Sequence, residues 1–214
     1  MARRHEGEQA GMTDTSTQEH IFELSGGRLC LDFANTLDNR LTGRAQELLT
    51  SYADLVSWSR QTGVVTEAAA QRLLQEGARR PAAAAAVLKQ AITLRETMYR
   101  IFSAVAAGRV PTAADVDILN QVLSKGRALW QVAITVEGFK WQWEEALDRM
   151  LWPVAQSAAE LLTSTELSAV RECAAGDCGW LFLDKSHRRR WCSMKACGNR
   201  MKARRHYSRQ KTER

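Results

Sequence analysis

No uninterrupted apolar run in this chain approaches the roughly 20 residues of a bilayer span; the longest, such as residues 82–88, fall far short. No integral membrane protein is expected. Residues 1–18 hold no apolar stretch of the kind an export leader needs, so a reducing, cytoplasmic setting is expected for its thiols. Histidine is scarce: of four, only His5 and His20 precede residue 171. A cysteine nucleophile needs a base, and Cys30 has none near it except those two, at the very start of the chain. Gly26-Gly27 is followed by neither a dinucleotide fingerprint nor a P-loop, and no internal repeat is visible.

What remains is a chain of 214 residues, 45% hydrophobic and 25% charged, enough for one medium domain or one plus a small module. Its charge is polarised. Residues 171–214 carry thirteen basic and four acidic residues, whereas residues 1–170 carry 17 and 20. An acidic body with a basic, polyanion-binding tail is the natural reading. Cysteine is polarised too: Cys30 stands alone, and Cys173, Cys178, Cys192 and Cys197 crowd into 25 residues.

Residues 1–18 read as a loose arm and 19–165 as a mainly helical domain. Val87, Ala91, Leu94, Met98, Ile101 and Val105 recur at steps of three and four, one apolar stripe on a helix over 83–107. Gly108 and Pro111 stop it, and Thr112 with Asp115 caps a helix running to about 124. Shorter helices are expected over 27–37, 47–62 and 67–77, and a last one over 145–162 that Pro153 bends or restarts. Between them, Trp130, Val132, Ile134 and Val136 alternate with polar or small residues, as do Phe139, Trp141 and Trp143 beyond the turn Glu137-Gly138. That is a β-hairpin with an aromatic face, expected to be buried against a helix. Cys30, Asp32, Asn35, Asn39 and Arg40 form a local polar cluster. They either line a pocket or serve as caps and internal hydrogen bonds, the second being favoured. The fold class is α+β, mostly α.

The tail carries the decisive signal. Cys173 and Cys178, then Cys192 and Cys197, form two pairs, each with four intervening residues, separated by thirteen. Four thiolates suit one tetrahedral, structural Zn²⁺ with no open position for water, and the spacing matches no common iron–sulfur pattern. Residues 171–214 hold too few large apolar side chains to fold by burial alone, so the metal is the expected staple. Two short strands, 180–183 and 189–192, are expected to flank a turn. A helix from Ser193 to about residue 210 then donates the last ligand, which is the treble-clef order. Arg188, Arg189 and Arg190 add a cationic strip, and the helix presents Lys195, Arg200, Lys202, Arg204, Arg205 and Arg209. A helix this basic repels itself, and a phosphate backbone is its natural counter-charge.

The run Arg190-Trp191-Cys192-Ser193-Met194, followed by Cys197-Gly198-Asn199-Arg200, resembles the CGNR zinc finger. Residues 29–37 with Asn39-Arg40 resemble the start of the ABATE domain that precedes it in the family. The resemblance implies a bacterial stress-response transcription regulator with a helical sensor-like domain and a DNA-binding finger over 170–214. It places zinc on the four cysteines and carries Asn199 and Arg200 as motif residues. The expected partners are double-stranded DNA and, through the first domain, a small-molecule effector or protein, with a homodimer supplying contacts that one finger lacks. No enzymatic activity is expected. The alternatives are an RNA- or protein-binding finger and, more remotely, an HNH-like nuclease using His187, Asn199 and His206.

Overall fold

The computed structural model describes residues 20–128, 130–143 and 146–212. The expected arm, 1–18, and the expected start of the last helix at residue 145 lie outside them. After a short first helix α1 (Leu29–Ala34), the chain makes a two-residue antiparallel contact between β1 (Leu37–Asp38) and β2 (Gln46–Glu47). Residues 47–50 therefore do not belong to the next helix, as the sequence had suggested. The Ser51 hydroxyl accepts from Asp54 N, and the Asp54 carboxylate accepts from Ser51 N, a reciprocal cap that opens α2 at Tyr52 and runs it to Gln61. Thr66 caps α3 (Glu67–Arg79) in the simpler way. Pro81 then starts α4 (Pro81–Ala106) slightly earlier than expected, because a proline in the first helical turn gives up an N–H that has no partner there. Thr112 accepts from Asp115 N at the head of α5 (Ala113–Ala128), which outruns its expected end. Pro153 sits in the first turn of α6 (Leu151–Leu162), so it restarts the helix and does not bend it.

Helix α4 is the axis of the body. Val87, Ala91, Leu94, Met98 and Ile101 of its apolar stripe are buried, with α1, α2, α3, α5 and α6 arranged around it. Arg95 is buried on the same helix at 2% exposure and is fully matched: its guanidinium grips Glu47 at 2.5 and 2.7 Å and Glu96 at 2.9 Å. A bidentate partner is what makes a buried arginine tolerable.

The expected hairpin forms, β3 (Trp130–Thr135) against β4 (Gly138–Trp143), but its turn is Val136-Glu137, one residue earlier than expected, so Val132 stands opposite Trp141 and Ile134 opposite Phe139. Its expected burial fails. Val132, Ile134 and Phe139 are 59%, 81% and 78% exposed. The side chains of Trp130, Trp141 and Trp143 lie outside the described residues. The two-residue turn fixes the pairing without any help from a helix, so alternation alone could not tell a covered face from an open one.

The last strand pair also departs from expectation. Residues 189–192 are not a strand; β6 (Leu181–Leu183) pairs instead with β5 (Val170–Glu172), Val170 opposite Leu183. Both edges of β6 are taken. On the far side Gly26 O accepts from Leu183 N at 2.9 Å, and the Asn35 side chain bonds both the N–H and the carbonyl of Leu181. The body thus occupies the place a following strand would need. Leu181 and Leu183 join the body's core, whereas Phe182 packs in a second small core with the four cysteines, Ala175 and Trp180. The period-2 alternation of three residues ties the two cores together.

Candidate metal centre and nucleic-acid interface

The four tail cysteines are brought together. Cys173 leaves β5, Cys178 closes a tight turn with its N–H on Ala175 O, Cys192 precedes a wide turn over Met194–Gly198, and Cys197 lies within it. That turn opens on the Ser193 hydroxyl, which accepts from Ala196 N, and closes with Gly198 N on Ser193 O. Cys192 precedes the helical segment and Cys197 lies within its first turns, as the 140° offset of residues five apart requires. All four Sγ atoms lie within 4.8 Å of one another, with Cys178–Cys192 at 3.7 Å and Cys192–Cys197 at 3.6 Å. A tetrahedral ion with 2.3 Å metal–sulfur bonds places its sulfurs about 3.8 Å apart. The donor set and spacing fit one structural zinc.

Electrostatics point the same way. The thiols of Cys178 and Cys192 donate toward Cys173 and hold it far below the ordinary range. The Cys173 thiolate in turn drives Cys178 and Cys192 up. Four such sulfurs become thiolates together only around a cation. Two further donors address the cluster: Cys192 N–H points to Cys173 Sγ at 3.4 Å, and the Arg200 guanidinium reaches Cys197 Sγ at 3.2 Å. Cys30 is a different kind of thiol. Burial pushes it up to about 12, against the opposing Ser157 hydroxyl, and it sits in the core of α1.

The polar cluster around Cys30 turns out to hold the finger. None of Cys30, Asp32, Asn35, Asn39 or Arg40 lines the five best-formed cavities of the described residues. Asp32 accepts from Gly26 N at 2.8 Å, and Asn39 turns the chain with a left-handed φ of 50°. Asn35 splints β6, as described. Arg40 N–H meets Cys178 O at 3.2 Å, and the Trp180 indole donates to Leu37 O at 3.2 Å. Gly179, at φ +73°, admits this loop: a Cβ there would lie 3.0 Å from Leu41 and 3.2 Å from Arg40. The Arg40 guanidinium is anchored in the body, paired with Glu96 and stacked 3.9 Å over Tyr99. Burial works against ionised Glu96, yet Arg40 and Arg95 hold its carboxyl below the usual range. Glu166 adds a strut outside, pairing with both Arg28 and Lys185.

The basic residues of the tail divide into two sets. Arg189 is exposed but engaged by the protein: its guanidinium bonds Leu183 O, Ser25 O and Cys192 O and lies over the Phe182 ring. Arg200 and Arg204 share the Asp177 carboxylate at 3.0 and 2.7 Å, lashing the last helix α7 (Asn199–Thr212) to the knuckle. Asn199 caps locally, donating to Lys195 O at 3.3 Å. Arg188, Arg190, Lys195, Lys202, Arg205 and Arg209 are exposed and have no ion-pair partner among the described residues, Arg190 resting on Trp191. Lys202, Arg205 and Arg209 follow one another at steps of three and four along one side of a helix about 21 Å long. Asp177 is the residue the sequence reading missed. Its signal was there: an acid inside the knuckle of an otherwise basic tail.

His187 is exposed in the turn beyond β6, at φ +53°, with Arg171 3.5 Å from its Nδ1, and His206 is exposed on α7. Among the described residues, the metal-competent group is the set of four cysteines, with no histidine or carboxylate in it. No helix among them is long and apolar enough to cross a membrane.

These features are matched by two family models. Residues 169–210 match the CGNR zinc finger, and residues 27–165 match ABATE, described as "putative stress-induced transcription regulator". No curated protein matches the chain. Both matched families are of regulator and zinc-finger type, not enzymatic. With most of its length under the first model and its four-cysteine module under the second, in that order, the chain belongs to the ABATE family and carries a CGNR zinc finger.

Proposed function

We propose that this protein is a cytoplasmic transcription regulator whose finger binds double-stranded DNA and whose helical body takes a signal or a partner. One observation carries the reading: a zinc-braced helix and turn hold six exposed cations that no carboxylate pairs among the described residues, while Arg189, Arg200 and Arg204, though not buried, are engaged in bracing. Phosphates are the counter-charge that such a rigid cationic face suits. Arginine's planar fork adds the means to reach guanine edges in the major groove. Lys202, Arg205 and Arg209 are the proposed groove-facing set, and Arg188, Arg190 and Lys195 the flanking phosphate contacts. Asn199 lies at the start of α7, within reach of the same surface.

The test is a salt titration of zinc-loaded protein on duplex DNA. Six neutralised phosphates give a log–log slope of about −5. Arg205→Ala should weaken binding and flatten the slope by about one, leaving zinc content unchanged. Slope near zero on DNA, or preference for structured RNA, would remove the duplex assignment, because an A-form major groove resists an inserted helix. Nicking of supercoiled plasmid in Mg²⁺ that disappears in His187→Ala would establish the nuclease instead.

A further inference from the structure

A groove of about 370 Å³ lies where α4, α5 and α6 meet, on the opposite chemistry from the finger: it is apolar inside and cationic only at its rim. That volume is at the scale of sites for small organic molecules. Leu94 of α4, Val122 of α5 and Leu151 of α6 make the floor, and Leu94 and Leu151 are fully part of the body's core. Trp152 closes one end. It can do so because residue 126 is glycine: a Cβ there would lie 1.3 Å from the indole Cδ1, so the ring lies flat against α5.

Two lysines contribute to this lining. Lys89 of α4 and Lys125 of α5 are both exposed lining residues, and neither has an ion-pair partner among the described residues. Asp148 is the only acidic group of the described lining, so the rim carries a net single positive charge. Gln90 and Gln121 add neutral hydrogen-bonding ends on the same two helices. An apolar floor under paired lysines recognises a molecule with an apolar body and one anionic end. A compact ammonium, unlike a guanidinium fork, imposes no planar bidentate geometry and suits a single carboxylate.

We propose that the α4–α5–α6 groove is a binding site for a small carboxylate with an apolar body. The proposal deepens the signal-binding half of the proposed function and rests on that reading for its biological role. Binding is measured without DNA, so an empty groove and a finger that ignores DNA are separate failures.

The probe is 1-naphthaleneacetate, titrated calorimetrically into the full zinc-loaded chain, with 1-naphthylmethylamine as the cationic isostere. The expected result is one saturable site per chain with a dissociation constant on the order of 0.1 mM, within reach of a ligand this small, and no binding of the amine. Lys89→Ala combined with Lys125→Ala should weaken the acid about tenfold or more without moving the melting temperature, since both side chains are exposed. Thr93→Trp, on the groove's rim, should abolish binding by filling it, and stands in should the double variant not fold. No saturable binding up to millimolar acid, equal binding of the amine, or unchanged affinity in the lysine and Thr93→Trp variants would each overturn the site.

Discussion

Replacing Asn35 by leucine tests the idea that the ABATE-type segment is a bracket for the finger. The Asn35 side chain is 3% exposed; its carbonyl accepts from Leu181 N at 2.8 Å and its amide donates to Leu181 O at 2.9 Å. Leucine fills a similar volume but satisfies neither group. Each buried backbone group left without a partner costs about 1–3 kcal/mol, so the pair costs about 2–6 kcal/mol. Against a typical total of about 5–15 kcal/mol this is a large share. With a urea slope near 3 kcal/mol/M, the midpoint should fall by about 1–2 M at unchanged slope. Zinc should also pass faster to a competing chelator, because Cys178 and Trp180 lie immediately before the anchored strand. Asn35→Asp sharpens the test: it keeps the acceptor for Leu181 N but sets a negative charge against Leu181 O. It should be at least as damaging at pH 7, and partly rescued below about pH 4, where a protonated carboxyl can donate again. An Asn35→Leu unfolding free energy within about 0.5 kcal/mol of the parent would refute the bracket.

Zinc removal should destabilise the whole chain and not the tail alone, because Val170, Leu181 and Leu183 of the finger's strand pair lie in the body's core. Structural zinc contributes roughly 10–16 kcal/mol in small fingers; chelation should therefore lower a single cooperative thermal transition, and a body transition that stays put while the tail melts separately would contradict this. Asp32 gives a pH signature: burial lifts its carboxyl to about 6, opposed by the Gly26 N–H. A folded pKa above the unfolded one means that the folded state keeps the proton longer, so this contribution is full below about pH 4 and is lost as pH rises through 6. Asp32→Asn retains an acceptor for Gly26 N and has no charge to bury, so it should gain on the order of 2–3 kcal/mol at pH 7 and nothing at pH 3.5; equal stability of the two chains across that range would show the carboxylate to be better solvated than its burial implies.

The sequence was most legible where one local cause dominates. Thiol spacing placed the metal ligands, the three–four stripe placed α4, and the alternation about Glu137-Gly138 placed the hairpin to within one residue of its turn. It misled where two causes compete over distance. The Ser51–Asp54 cap outcompeted the helical pattern upstream of it. Strand 181–183 found its partner at 170–172 because Asn35, 146 residues away, had already taken its other edge. The polar residues at 30–40 could be read as pocket or as caps because their partners, Leu181 O, Cys178 O and Glu96, are absent from the local sequence. The groove at α4–α5–α6 left no motif at all. It is made by three separate helices and by the missing Cβ of Gly126.

The same long-range partners decide how much of the tail's charge is available to a polyanion. Counting basic residues gives nine cations among the proposed contacts, and nine neutralised phosphates give a salt slope of about −8. The structure withdraws three of them. Arg200 and Arg204 are tied to Asp177, and Arg189 to three carbonyls, which leaves six and a slope of about −5. The difference discriminates a rigid finger from one that remodels. If α7 binds as it stands, Asp177→Asn frees Arg200 and Arg204 and steepens the slope toward −7 while loosening the helix. A parent slope already near −8 means that DNA outbids Asp177 and the carbonyls, and that the bracing arginines change partners on binding.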